Sequence, residues 1–93
     1  MPEGAPTQGA ASEEIGQVIA YYGVPRVAMV EIRAGTLKLG DKIWIRGHTT
    51  DVVQDIRSMQ WERQPVSEAK AGQQVGIQME GKARQHDRVY KIA

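Results

Sequence analysis

The sequence predicts an all-β fold, a small antiparallel barrel of six strands with one short helical turn. From residue 15 onward, short runs rich in Val, Ile, Tyr and Met are separated by Gly, Pro or Asp about every dozen residues, a spacing typical of strands and tight turns. A chain of 93 residues fits one domain with a small core. Six strands in so short a chain leave no room for helices over a parallel sheet, so we expect the sheet to curl over its own apolar face.

Six runs are predicted to be strands because apolar and polar residues alternate in them and turn residues bound them. In order along the chain they are residues 15–22, 26–33, 41–47, 50–61, 74–80 and 87–92. Between the fourth and fifth runs, PVSEAKAG predicts one helical turn with Ser67 as its N-cap, Glu68 and Ala69 in its first turn and Gly72 as a left-handed terminator. Residues 1–13, rich in Ala, Gly and Pro, are predicted to be a disordered tail, which leaves residues 14–93 for the barrel.

Composition limits the function. The 12 Lys and Arg residues nearly balance the 11 Asp and Glu residues, and the pI of about 8.1 lies below the value of about 9 expected of a dedicated nucleic-acid binder. Any nucleic-acid contact must therefore use a local patch of charge. Without cysteine there are no disulfides and no thiolate nucleophile. No targeting segment and no run of roughly 20 apolar residues is present, so we expect a cytoplasmic protein without membrane contact.

The sequence predicts no catalytic residue, no metal site and no cofactor. No glycine is followed by Lys-Ser or Lys-Thr, so a phosphate-binding loop for a nucleotide is not expected. His48 lies in the turn GHTTD and His86 in the turn RQHD, far apart in sequence and without a paired acid. We interpret both as solvated turn residues. The protein is therefore expected not to be an enzyme.

The stretch LKLGDKIWIRG places a tryptophan where a polar residue is expected. Because Ile43 and Ile45 form the buried face of a strand, Trp44 lies on the outer face between Lys42 and Arg46. An outward indole can stack on a base or on an arginine of a partner. The alternative is that it packs across strands against a Tyr or Met, or is covered by the tail.

Trp61, beside Gln60 and Arg63, has the same two alternatives: stacking on a partner, or packing within the fold. Other basic residues would form a cationic patch if the fold brings them close together. Otherwise they only keep the surface soluble. They are Arg26, Arg33, Lys38, Lys42 and Arg46 around the second and third strands, and Lys82, Arg84, Arg88 and Lys91 near the C-terminus.

Three segments together resemble the second, β-barrel domain of the translational GTPases, as in elongation factor Tu. They are RAGTLKLGDKIWIRG, DIRSMQWERQPVSEAKAGQQVGIQMEG and HDRVYKI. They follow that domain's pattern of a Gly-x-Leu-Lys-x-Gly-Asp hairpin, a Glu-Ala-x-x-Gly turn and a Val-Gly strand, over about residues 15–92. The resemblance implies a barrel of the translation-factor second-domain type without the GTPase domain, and hence no nucleotide hydrolysis.

In that family the barrel receives the aminoacylated end of transfer RNA and touches the ribosome. A glutamate and an arginine that help to hold the terminal adenosine would fall on Gln60, an amide here, and on Arg63. The resemblance therefore implies a stand-alone, non-catalytic module that binds RNA or a ribosome-associated partner. The alternatives are a protein-interaction or accessory domain without RNA contact, and a regulator of a separately encoded enzyme. The predicted contact residues are Trp44, Arg46, Arg57, Gln60, Trp61 and Arg63.

Overall fold

The computed structural model describes residues 12–24 and 26–92, which form ten strands and, within these ranges, no helix. The strands are β1 (Ser12–Gly23), β2 (Arg26–Ile32), β3 (Thr36–Lys38), β4 (Lys42–Arg46), β5 (Asp51–Asp55), β6 (Met59–Trp61), β7 (Gln64–Pro65), β8 (Glu68–Lys70), β9 (Gln74–Gln78) and β10 (Arg88–Ile92). None of the described residues belongs to a helix that could span a membrane. Of the predicted tail, residues 12 and 13 lie in β1, and residues 1–11 lie outside the described ranges.

Eight strands form one antiparallel sheet in the order β5-β4-β10-β1-β2-β9-β6-β7, and β3 pairs with β8 in a second, two-stranded sheet. The large sheet curls until β5 meets the segment that follows β9. There the buried side chain of Gln54 donates from Nε2 to the Gln78 carbonyl oxygen at 2.8 Å and accepts from the Glu80 amide at 2.8 Å. The expected all-β antiparallel barrel architecture is confirmed.

The core consists of the inward positions of the alternating strands. In β4, Ile43 and Ile45 are fully buried, while Trp44 between them is half-buried. The largest fully buried side chains are Ile15, Val18, Val30, Ile32, Leu37, Ile43, Ile45, Ile56, Met59, Val75, Ile77 and Val89. Burial of such side chains contributes about 1.5 to 3 kcal/mol each. Since most inward positions are aliphatic, and the buried polar residues of the described ranges are Thr50, Gln54 and Asp87, most of the polar chemistry lies on the outer face and in the loops.

The prediction of a helical turn after residue 66 is wrong. Residues 68–70 form β8, in which Ala69 is buried opposite Leu37 of β3, while Glu68 and Lys70 face solvent. Helix propensities differ by only a few tenths of a kcal/mol per residue, and the strand pairing and the burial of Ala69 outweigh them. Gly72 does adopt the predicted left-handed conformation, with φ of 95°, but it ends a tight turn between β8 and β9.

The predicted strand at residues 50–61 is divided into β5 and β6. The chain bends at Ile56, whose amide donates to the Asp41 carbonyl oxygen at 2.8 Å and whose carbonyl oxygen accepts from the Gly40 amide at 2.8 Å. The bend carries β6 away from β5 to the side of β9, where it forms a short hairpin with β7. This division, together with the short strands β3, β7 and β8, raises the strand number from six to ten.

Gly72→Val is expected to lower the free energy of unfolding by about 1 to 2 kcal/mol, because a side chain in the left-handed region is strained. No atom lies within 4 Å of a Cβ built at Gly72, so the cost is conformational rather than steric. Urea denaturation of this variant and of Gly23→Val provides the measurement. Gly23 is equally free of neighbours but lies in β1 without a positive φ. Equal stability of the two variants would remove the conformational argument.

Candidate nucleic-acid interface

The outer face of β4 and β10 carries two matched pairs of side chains. The antiparallel register sets Trp44 opposite Tyr90 and Arg46 opposite Arg88. The two aromatic rings lie 5.1 Å apart between centroids, tilted by 34°. Trp44 therefore packs across strands on a tyrosine, the arrangement that the sequence left open as an alternative to partner stacking.

Trp44 is oriented by three neighbours. Its indole Nε1 donates to Oδ1 of Asp51 in β5 at 2.7 Å. The guanidinium carbon of Arg46 lies 5.3 Å from the indole centroid, a cation–π contact worth about 0.5 to 1 kcal/mol at an exposed site. Tyr90 supports the ring from the other strand. The indole is thus fixed in direction while remaining half-exposed.

Arg46 and Arg88 are like charges placed directly opposite each other, which by itself destabilises a sheet. Arg88 lies 3.4 Å from the Glu14 carboxylate in β1. Arg46 takes part in no ion pair among residues 12–24 and 26–92. In the register Arg46 also lies opposite Asp51 of β5, so the two arginines have two carboxylates nearby, those of Asp51 and Glu14.

Two loops extend this face into a groove. β4 ends where residues 47–49 begin and β10 starts where residues 84–87 end, so antiparallel pairing places the two loops side by side. A groove of about 410 Å³ results, lined by Arg46, Gly47, His48, His86, Arg88 and Tyr90. It adjoins a smaller lobe of about 260 Å³, lined by Gly47, His48, Thr49, Arg84, Gln85, His86 and Asp87.

His48 and His86, interpreted from sequence as separate turn residues, line the same groove. Their proximity follows from the pairing of β4 with β10, because His48 lies just after the paired end of β4 and His86 just before the paired end of β10. Within the described ranges, no group of three or more His, Cys, Asp or Glu side chains could hold a metal ion.

Asp87 joins the two loops. Its side chain is 4% exposed, and its Oδ2 accepts from the Arg84 amide at 2.7 Å. Gly47 approaches the Asp87 carboxylate so closely that a Cβ at this position would overlap it. Only glycine allows that approach, so Gly47 sets how closely the two loops pack.

His86 has a backbone conformation that few non-glycine residues adopt, with φ of 79°. It is held there because its amide donates to the Val18 carbonyl oxygen at 2.8 Å and its carbonyl oxygen accepts from Gln17 Nε2 at 3.4 Å. Strained residues that are held in this way occur frequently at ligand-binding sites.

The other predicted contact residues form a second surface. Gln60 and Trp61 lie in β6, and Arg63 lies in the two-residue turn between β6 and β7. Four strands separate β6 from β4 in the sheet order. Trp61 is 37% exposed. Arg57, just before β6, lies 3.8 Å from the Glu80 carboxylate. The six predicted residues are therefore divided between two surfaces rather than forming one.

Only part of the predicted basic patch lies at the groove. Arg46, Arg84 and Arg88 line it, but Arg33 donates to Glu31 Oε1 at 2.9 Å and to Gln17 Oε1 at 2.6 Å. The hydrogen bond from Arg33, followed by one from the Gln74 side-chain amide, lowers the pKa of Glu31. Arg33 is thus paired with Glu31, and it is not among the residues that line the groove.

Arg63→Gly is expected to stabilise the β6–β7 hairpin by about 0.4 to 1 kcal/mol. Glu62 and Arg63 both have positive φ, 52° and 65°, as in the type I′ hairpin turn that favours Asn-Gly. The measurement is the urea midpoint of the variant compared with that of Gln64→Gly, which weakens β7 instead. A midpoint lowered by Arg63→Gly would mean that the arginine side chain itself stabilises the fold.

The comparisons with known proteins agree with this fold. The family model for elongation factor Tu domain 2 matches residues 26–89. The chain belongs to this family. Two crystal structures of the C-terminal domain of a putative U32 peptidase from Geobacillus thermoleovorans have the same fold. Their TM-scores are 0.77 and 0.78 at 20% and 21% identity, covering 83% and 85% of this chain and 96% and 91% of theirs.

Two curated relatives of this chain are named as a collagenase and as a protease. A collagenase of Porphyromonas gingivalis is 37% identical over 79 residues, which is 84% of this chain and 22% of the relative. An uncharacterized protease, MJ0090, of Methanocaldococcus jannaschii is 41% identical over 80 residues, which is 85% of this chain and 19% of the relative. The chain thus spans about a fifth of the length of these relatives.

The expectation that the protein is not an enzyme is contradicted by these relatives, which carry the matched domain and are named collagenase and protease. The expectation failed because it considered one barrel by itself. Four-fifths of each relative lies outside the matched stretch, and a reaction is carried out by whichever side chains meet at a site, not by a fold.

Proposed function

We propose that this domain binds single-stranded RNA through the outer face of β4 and β10, within a protein of the same kind as its protease-named relatives. The observation that carries the proposal is the register of the two strands, which sets Arg46 beside Arg88 next to the Trp44–Tyr90 pair. Cations and aromatic rings at adjacent positions are the combination that grips a single strand, because phosphates and bases alternate along it.

The arginine pair favours a phosphate ligand. A guanidinium presents its donors in a planar fork that fits phosphate oxygens, and two guanidinium groups side by side can share one anion. The repulsion between the two charges is partly offset by Glu14 beside Arg88 and by Asp51 opposite Arg46, and a bound phosphate would offset it further.

Single-stranded RNA fits the face better than a duplex. Tyr90 lines the open groove and Trp44 is half-exposed, so both rings can be reached by an unstacked base. In a duplex the bases are stacked on one another and are not available to such rings. Because the chain has a net charge of +1, long-range attraction is weak and we expect modest affinity that depends on a few phosphate contacts. The surface around Gln60, Trp61 and Arg63 would contribute a second contact.

The test is fluorescence anisotropy of a labelled RNA of about 12 nucleotides, within the usual site size for a single strand, titrated with the full chain at low salt. Arg46→Ala and Trp44→Ala should each weaken binding several-fold, whereas the charge-matched control Arg26→Ala should not. Arg26 is also an exposed arginine, and it donates to the Glu80 carbonyl oxygen at 3.2 Å. Absence of binding by the unmodified chain would overturn the proposal.

A polypeptide ligand is the second candidate, favoured by the names of the relatives and by exposed apolar side chains. Tyr22 is 57% and Val24 95% exposed at the β1–β2 turn, and Trp61 is 37% exposed in β6. The same titration with labelled gelatin, the denatured form of collagen, addresses it. Gelatin binding that is lost in Tyr22→Ser and Trp61→Ser, together with no RNA binding, would replace the first proposal by the second.

A further inference from the structure

We infer that the two-lobed groove between residues 47–49 and 84–87 is a binding site for two linked phosphate groups. If the linked phosphates belong to an RNA strand, the inference rests on the proposed function. If the ligand is a free diphosphate, the inference does not depend on the proposed function. The groove is lined by the two loops and by the adjoining ends of β4 and β10, and its His48 and His86 are not among the predicted contact residues.

The charges of the groove favour a doubly anionic ligand. Three arginines are among the lining residues of the two lobes, Arg46, Arg84 and Arg88, against one acidic lining residue, Asp87, although Arg88 is also paired with Glu14. The carboxylate of Asp87 is buried and accepts from the Arg84 amide, and its negative charge offsets one of the three positive charges. Within the described part of the chain, neither Arg46 nor Arg84 takes part in an ion pair.

The division into lobes indicates two anions rather than one. Arg46 and Arg88 line the larger lobe, and Arg84 lines the smaller one. His48 and His86 line both, so the histidines lie at the boundary between the lobes. Two phosphates joined by a short link would place one group near Arg46 and Arg88 and the other near Arg84, with His48 and His86 between them as hydrogen-bond donors.

The groove is preorganised: its two loops are held in place by contacts within the chain. The contact of Gly47 with Asp87 fixes the spacing of the loops, and the hydrogen bonds of the His86 backbone to Val18 and Gln17 hold its strained conformation. A site that is already ordered loses less conformational entropy on binding, so a few contacts suffice for measurable affinity.

The inference is tested by amide NMR titration of the full chain with inorganic pyrophosphate and, separately, with inorganic phosphate. Pyrophosphate should shift the signals of Gly47, His48, Gln85 and His86 in a saturable manner. Monophosphate should bind about tenfold or more weakly, since it leaves one lobe empty. Arg84→Gln should lower pyrophosphate affinity about tenfold, whereas Arg26→Gln should not. Unchanged dispersion of the remaining signals serves as the folding control for both variants.

A parallel titration with RNA separates the two proposals. Pyrophosphate binding at the groove without RNA binding would support the groove and overturn the RNA function. RNA binding that is unaffected by Arg84→Gln, with no pyrophosphate shifts at the loops, would support the RNA function and overturn the groove. RNA binding weakened by Arg84→Gln supports both, and no response to either ligand overturns both.

Discussion

The Gly16→Ala variant is expected to lose about 3 kcal/mol of unfolding free energy, at the upper end of what overpacking costs. Gly16 lies in the middle of β1, where the strand is paired on both sides and the register shifts after Glu14. A Cβ at this position would overlap the carbonyl oxygen of Glu31 and would lie 3.3 Å from Cγ1 of Val30. The overlapped atom belongs to the backbone of β2, so it cannot move away without disturbing the β1–β2 pairing.

Urea denaturation followed by circular dichroism measures this loss. Gly23→Ala is the matched control, because Gly23 lies in the same strand and no atom lies within 4 Å of its built Cβ. The control should change stability by less than about 0.5 kcal/mol. Similar midpoints for the two variants would show that β1 and β2 are not packed as closely at Gly16 as described.

Replacing both Arg46 and Arg88 by glutamine is expected to reduce RNA affinity strongly without destabilising the fold. Each phosphate of a single strand that is no longer neutralised lowers the slope of log affinity against log salt by about 0.7, so the double variant should have a slope lower by about 1.4. Removing two opposed like charges should leave stability unchanged or raise it by a few tenths of a kcal/mol. Removing the Arg46–Trp44 and Arg88–Glu14 interactions offsets part of that gain.

Salt titrations of RNA affinity and urea midpoints measure the two effects separately. The control removes two other exposed cations, in Arg26→Gln with Lys70→Gln, and should leave the slope nearly unchanged. If both double variants lower the slope equally, the RNA responds only to overall charge and the β4–β10 face has no special role.

The parts of the fold that the sequence predicts correctly depend on local alternation. Ile43 and Ile45 around Trp44 have a period of two, and this pattern identifies β4 and its buried face directly. The prediction fails at residues 67–72, where Ser67, Glu68 and Gly72 carry good helix-capping signals. In so short a segment, one buried Ala69 opposite Leu37 decides the structure, and that contact is made with β3, far away in sequence.

The candidate site depends on register, which local patterns do not reveal. Trp44 is recognisable from sequence as an outward residue, but its partner Tyr90 follows only from the pairing of β4 with β10. A shift of that pairing by one residue would separate the aromatic pair and the arginine pair alike. His48 and His86 line the same groove for the same reason. Identifying these neighbours requires knowing how the barrel closes, which is a property of the whole sheet.

The most direct test of the RNA-binding face is the fluorescence of Trp44 in a Trp61→Phe background during titration with single-stranded RNA. Trp44 is then the one tryptophan of the chain, and it lies against Tyr90 and Arg46 on the proposed face. We expect its emission to change in a saturable manner, with the same midpoint as the anisotropy of the labelled RNA. An anisotropy change at saturation with unaltered Trp44 emission would contradict the proposed face, and no change in either signal would contradict RNA binding itself.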